Sequence, residues 1–130
     1  MRPREAFAAL PAAALVLLGG LGGCRGRVSN ARIPFESLGN PERGRSLVEA
    51  KHCGACHSIP GVPGARGVVG PPLDTFARRS FIAGQSPNTP ANLVRWVRDP
   101  HGLERGTAMP AVGLDESQAR DVAAFLYTLQ

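Results

Sequence analysis

Aromatic side chains are scarce in this chain: among 130 residues there are five Phe, one Trp and one Tyr. Only Phe35, Phe76, Phe81, Trp96, Phe125 and Tyr127 lie beyond position 23, a thin supply for the middle of a small domain. No run of alternating apolar and polar residues is flanked by hairpin turns, which argues against a sheet architecture. Internal repeats and low-complexity tracts are also missing. Basic residues outnumber acidic ones, 15 to 10, for a formal net charge of +5, but they are dispersed among apolar residues. Nucleic acid therefore finds no basic tract to bind, whereas acidic protein surfaces are compatible partners. Cysteines number only three, so each needs its own explanation.

Apolar residues are unevenly placed, dense from Phe7 to Gly23 and sparser from Asn40 onward. Arg2 and Arg4 supply a positive start, Leu10 to Leu21 an apolar stretch, and Gly22 and Gly23 a small-residue exit. This is the pattern of an export signal. An uncleaved anchor is the alternative, although the run is near the lower limit for spanning a bilayer and is weakened by its glycines. The exit, Leu21-Gly22-Gly23-Cys24, resembles the bacterial lipobox. That resemblance implies a lipoprotein signal peptide over residues 1–23, lipidation of Cys24, and a chain held on the periplasmic side of a bacterial membrane. An ordinary secretory signal with a stray cysteine is the competing explanation, but an unpaired exported cysteine then has no purpose. Residues 24–39, rich in Arg, Gly, Ser and Asn, suit a flexible tether. At about 3.3 to 3.6 Å per extended residue, it reaches tens of ångströms from the bilayer.

Residues 40–130 form the globular part. Asn40-Pro41-Glu42 combines an N-cap, a first-turn proline and an acid near the positive helix end, so a helix is expected to run from there into Cys53. A second helix starts near Thr89-Pro90, places Leu93, Trp96 and Val97 on one face, and stops around Asp99-Pro100. A third begins at Asp115 with Gln118 at the capping-box position, and carries Val122, Ala123, Leu126 and Leu129 as a stripe to the chain end. Gly- and Pro-rich connections separate them. The fold class is all-α, three main helices with long loops, and these helices alone leave room for a large flat apolar group.

Cys53-Gly54-Ala55-Cys56-His57 is the C-x-x-C-H signature of covalent c-type haem attachment, here in an exported context. Cysteines three apart point the same way from a helical turn, so both sulfurs reach the two vinyl groups while His57 turns toward iron. A thioredoxin-like redox pair needs a βαβ context that is missing. A zinc site needs more Cys or His at suitable spacing, and only His52 and His101 are left. The expected cofactor is one haem c, bound through Cys53 and Cys56, with His57 as an axial ligand.

After processing, Met109 is the one methionine, within Gly106-Thr107-Ala108-Met109-Pro110. A thioether suits haem iron. His101 is the rival sixth ligand, and filling of the core is the ordinary use of a lone methionine, but this polar, stiff segment makes poor core. Met109 is therefore expected opposite His57, with His101 on the surface.

From Gly44 through the C-x-x-C-H motif and Gly70-Pro71-Pro72-Leu73 to the methionine loop and final helix, the domain resembles class I cytochrome c. The resemblance covers nearly all of residues 40–130 and implies a small cytochrome c fold around one haem. It implies that the Pro71 carbonyl accepts the proximal imidazole hydrogen bond, and that an arginine after Phe76-Ala77, either Arg78 or Arg79, holds a haem propionate. It places Trp96 against the haem near the methionine, where ordinary core packing is the other explanation, and Thr107 in the propionate region. It lets the first and last helices cross at Gly44, near Val48 and Phe125. The sequence departs from the family in having Val48 where an aromatic is common, a longer loop from Ser58 to Gly70, and no tryptophan near Asn88.

With both axial positions filled by protein, iron changes oxidation state but does not readily bind substrate. The reading is thus a monomeric electron carrier, not an enzyme, exchanging single electrons with redox protein partners. Methionine ligation favours a relatively high potential. A fixed electron-relay subunit of a larger dehydrogenase or oxidase complex is the nearest alternative. A haem-based gas sensor or peroxidase would require a displaceable Met109, and a thiol oxidoreductase would require free thiols at Cys53 and Cys56.

Overall fold

The structure is a computed structural model that describes residues 38–130. The export signal, Cys24 and the tether up to Ser37 lie outside the described residues. Helices α1 (Pro41–Ala50), α2 (Pro90–Arg98), α3 (Pro100–Leu103) and α4 (Glu116–Leu126) are joined by loops and two short 3-10 turns.

The caps read from sequence form. Asn40 Oδ1 accepts from the Arg43 amide at 2.8 Å, and Thr89 Oγ1 accepts from the Asn92 amide at 3.3 Å. Asp115 and Gln118 make a reciprocal capping box, which satisfies two amides that a helix start leaves without partners.

The expected helix ends are corrected, and two short elements join the three main helices. The first helix does not run into Cys53: it ends at Ala50, and His52 adopts a left-handed conformation, φ 55°, before a 3-10 turn over Cys53–Ala55. That single reversal detaches the attachment motif from the helix axis. The helical frame also carries a small hairpin that pairs β1 (Phe81–Ile82) with β2 (Ser86–Pro87). Its strands are too short to carry an alternation pattern, and Ala83 and Gly84 take positive φ in the turn. A fourth helix, α3, follows α2 directly, since Pro100 fits a first turn and Asp99 caps it by accepting from the Gly102 amide at 3.0 Å.

The core sits where α1 and α2 pack on α4, with Val48, Leu93, Ala119, Ala123 and Ala124 nearly or fully removed from solvent. At the α1–α4 crossing a side-chain carbon on Gly44 would lie 2.0 Å from the Asp121 carbonyl oxygen and 2.9 Å from Phe125 Cβ. Only a glycine allows that approach. Beside it, buried Asp121 accepts from the Asn40 amide at 2.6 Å and from Arg43 Nε and Nη2 at 2.8 and 3.0 Å. The final helix stops at Leu126 rather than at the chain end, yet Leu129 stays buried and its carbonyl accepts from the Ala77 amide at 2.9 Å.

Candidate functional site

Helices α1, α2 and α4, the hairpin and three loops enclose a cavity of about 390 Å³. Val48 of α1 and Leu93, Trp96 and Val97 of α2 form part of its wall, with Val122 and Leu126 of α4 behind them. Phe81, Ile82 and Ala83 come from the hairpin, and Thr107 to Pro110 from the loop ahead of α4. The lining is mostly apolar. Among the described residues its only fully charged members are Lys51 and Arg79, both cationic.

Cys53, Cys56 and His57 all reach this cavity, and so does Met109. The 3-10 turn brings the three motif residues together, closed by bonds from the Cys56 and His57 amides to the Cys53 carbonyl at 3.2 and 3.0 Å. His57 Nδ1 lies 2.7 Å from the Pro71 carbonyl oxygen. A carbonyl only accepts, so Nδ1 carries the proton and Nε2 keeps its lone pair for a metal. Met109 is held by its own amide, which donates to Thr107 Oγ1 at 3.1 Å.

Both cysteines are free and half-buried. Burial pushes the Cys53 thiol above its ordinary range, with a backbone hydrogen bond opposing and the nearby Cys56 adding a little. A nucleophilic thiol needs the opposite shift, so Cys53 is poorly suited to attack a disulfide.

Of the two candidate arginines, Arg79 lines the cavity and Arg78 does not. The Arg79 guanidinium donates to the Pro72 carbonyl and stacks over the Phe76 ring, 5.6 Å from its centroid. Trp96 is buried in the wall. Thr107 and Pro71 also border the cavity. His101 is exposed and away from it.

Sequence reasoning missed three contributors. Lys51 and His52 stand at the cavity beside Cys53; the left-handed turn that puts His52 there has no glycine to announce it. Asn88 donates to the Phe76 and Arg79 carbonyls at 3.2 and 3.0 Å and accepts from the Tyr127 hydroxyl at 2.9 Å. It therefore fixes the turn that carries Arg79. Burial raises the Tyr127 hydroxyl to about 12, so it stays a donor at ordinary pH.

These residues fit haem. The cavity is apolar, two reduced cysteines stand in its wall, and a His with one nitrogen already engaged accompanies a thioether.

The sequence profile of the cytochrome c family matches residues 41–130. A curated relative, cytochrome c oxidase subunit 2 of Alkalihalophilus pseudofirmus, is 34% identical over 106 residues, 81% of this chain and 30% of the relative. The chain thus spans under a third of that protein's length. With the attachment motif, the helical frame and this match over most of the chain in agreement, the protein belongs to the cytochrome c family, whose members transfer electrons through covalently bound haem.

Proposed function

We propose that the protein is a single-haem, one-electron carrier with His57 and Met109 as axial ligands, tethered on the periplasmic side of a bacterial membrane through lipidated Cys24. The observation that carries the reading is that Cys53, Cys56, His57 and Met109, the four residues the chemistry requires, all line one apolar cavity. Bound there, haem supplies an iron that alternates between ferric and ferrous states. Cys53 and Cys56 anchor it covalently, and His57 presents Nε2 because Pro71 holds Nδ1. Met109 offers its sulfur from a loop braced by Thr107. The apolar wall, Trp96 included, excludes water and so favours the less charged, reduced state. Arg79 is placed to meet a propionate. Electrons leave toward protein partners docked at the cavity mouth, where Lys51 and Arg79 favour acidic surfaces. The carrier works as a monomer.

A second reading has one observation in its favour: the relative's name is that of an oxidase subunit. In that case the domain is a fixed relay in a larger complex, and it co-purifies with that complex after mild detergent extraction.

The deciding experiment is the visible and near-infrared spectrum of protein matured with haem-attachment machinery. A covalent haem spectrum is expected, with the weak near-infrared band of methionine-ligated ferric iron, and the band should vanish in Met109→Ala. A haem spectrum without the band overturns the Met109 assignment, and colourless protein overturns the whole reading. Fractionation of the same cells tests the anchor: Cys24→Ala should release the protein from membranes into the soluble extract.

A further inference from the structure

Gly70 is placed unlike any other glycine of the described residues. A carbon added to it would lie 2.3 Å from His57 Cε1, 2.6 Å from Nδ1 and 2.9 Å from Nε2. Its three nearest neighbours are therefore all atoms of one imidazole, each closer than carbon tolerates. The Gly70 backbone does not adopt positive φ, so the requirement for glycine is one of space alone. Its amide donates to the Cys56 carbonyl at 2.8 Å, which pins it to the attachment turn. The next residue, Pro71, supplies the carbonyl that holds Nδ1.

We propose that Gly70 is a positioning residue for the His57 imidazole: its bare backbone is the stop against which the ring rests, and it fixes the ring's tilt. The proposal rests on His57 being the axial ligand. Two restraints act on different motions. The hydrogen bond to Pro71 sets where Nδ1 points but leaves the ring free to swing about the Nδ1···O line. Contact with Gly70 blocks that swing on one side. A methyl group at position 70 must push the ring away, because the backbone beneath it is tied to Cys56. Displacement stretches the 2.7 Å contact to Pro71. A weaker bond at Nδ1 makes the imidazole a poorer electron donor, which favours the reduced state.

The test uses the haem-loaded protein and compares Gly70→Ala with Gly39→Ala. A carbon on Gly39 would lie 2.6 Å from the Arg120 carbonyl carbon and oxygen and 2.7 Å from the Asp121 nitrogen, a comparable crowding against backbone that does not line the cavity. Ferric electron paramagnetic resonance and the midpoint potential are recorded for both. Gly70→Ala should shift the g-values and raise the potential, whereas Gly39→Ala should lower the melting temperature with both readouts unchanged. Equal shifts in the two variants, or wild-type readouts in Gly70→Ala, overturn the proposal.

Should Gly70→Ala not load haem, nuclear magnetic resonance of the reduced wild-type protein decides. A clamped ring gives one set of His57 signals and slow solvent exchange of the Nδ1 proton, and multiple ring signals or fast exchange overturn the idea. Wild-type protein without a haem spectrum would instead fail the proposed function, so the two failures are distinct.

Discussion

Asn88 shows how one side chain can hold several parts of the site. Its amide nitrogen bonds two carbonyls of the Phe76–Arg79 turn while its oxygen receives the Tyr127 hydroxyl beyond the last helix. Phe76 and Tyr127 also meet edge to face, with centroids 6.2 Å apart. Replacing Asn88 with Ala removes its three hydrogen bonds and leaves the Arg79 carbonyl short of its donor, a loss of about 1–3 kcal/mol. In a domain of this size that lowers Tm by roughly 4–8 °C per kcal/mol, measurable by calorimetry of wild type and variant. A change within about 1 °C would mean that water replaces Asn88 without cost. The haem spectrum of Asn88→Ala should keep its methionine band, because neither His57 nor Met109 touches this network.

At the level of elements, the α1–α4 crossing depends on an acid. Asp121 is 6% exposed, and the Arg43 hydrogen bond holds its carboxyl below the usual carboxylate range, against the opposing cost of burial. A folded-state pKa below the unfolded one contributes stability above the unfolded value, about 3.9 for aspartate, and loses it as pH falls through the folded one. Unfolding midpoints in urea should therefore fall below about pH 4, and Asp121→Asn should be weaker at pH 7 with a flatter acid limb. An unchanged acid limb would assign acid sensitivity to other carboxylates. The caps of α2 and α4 were legible because spacing and side-chain chemistry coincide there, and the crossing glycine was legible through the resemblance to class I cytochrome c. The end of α1 was not, since a left-handed His52 leaves no mark in composition. The β1–β2 hairpin was hidden because two-residue strands cannot alternate. The choice between Arg78 and Arg79 turns on a 3-10 turn, Phe76–Arg78, whose phase no sequence period reports. Cys53, Cys56, His57 and Met109 were grouped from the C-x-x-C-H spacing and the scarcity of methionine, and all four line one cavity.

Across the described domain, five carboxylates are engaged by ion pairs or helix caps away from the cavity. Asp121 binds Arg43, Glu116 faces Arg98 and Arg120, and Glu49 pairs with Arg45. Asp99 and Asp115 cap helices. No carboxylate lines the cavity, whereas Lys51 and Arg79 do, and apolar Val69 and Phe81 stand at its wall with 79% and 53% of their surface exposed. The domain therefore presents a face with apolar contact area and positive charge, and for the carrier function proposed above, long-range attraction to an acidic partner would set the encounter rate. Screening lengths shrink from about 30 Å at 0.01 M salt to about 3 Å at 1 M, so the rate of electron transfer to an acidic redox protein should fall by about tenfold or more over that range. Lys51→Glu, which reverses a charge at the mouth without touching a ligand, should lower the low-salt rate and flatten the salt slope, with the two proteins converging at high salt. Stopped-flow oxidation of the reduced protein measures both quantities. A rate that rises with salt would mean that the partner is itself cationic or that docking is governed by the apolar pair, and a Lys51→Glu slope equal to wild type would move the docking face away from the cavity mouth.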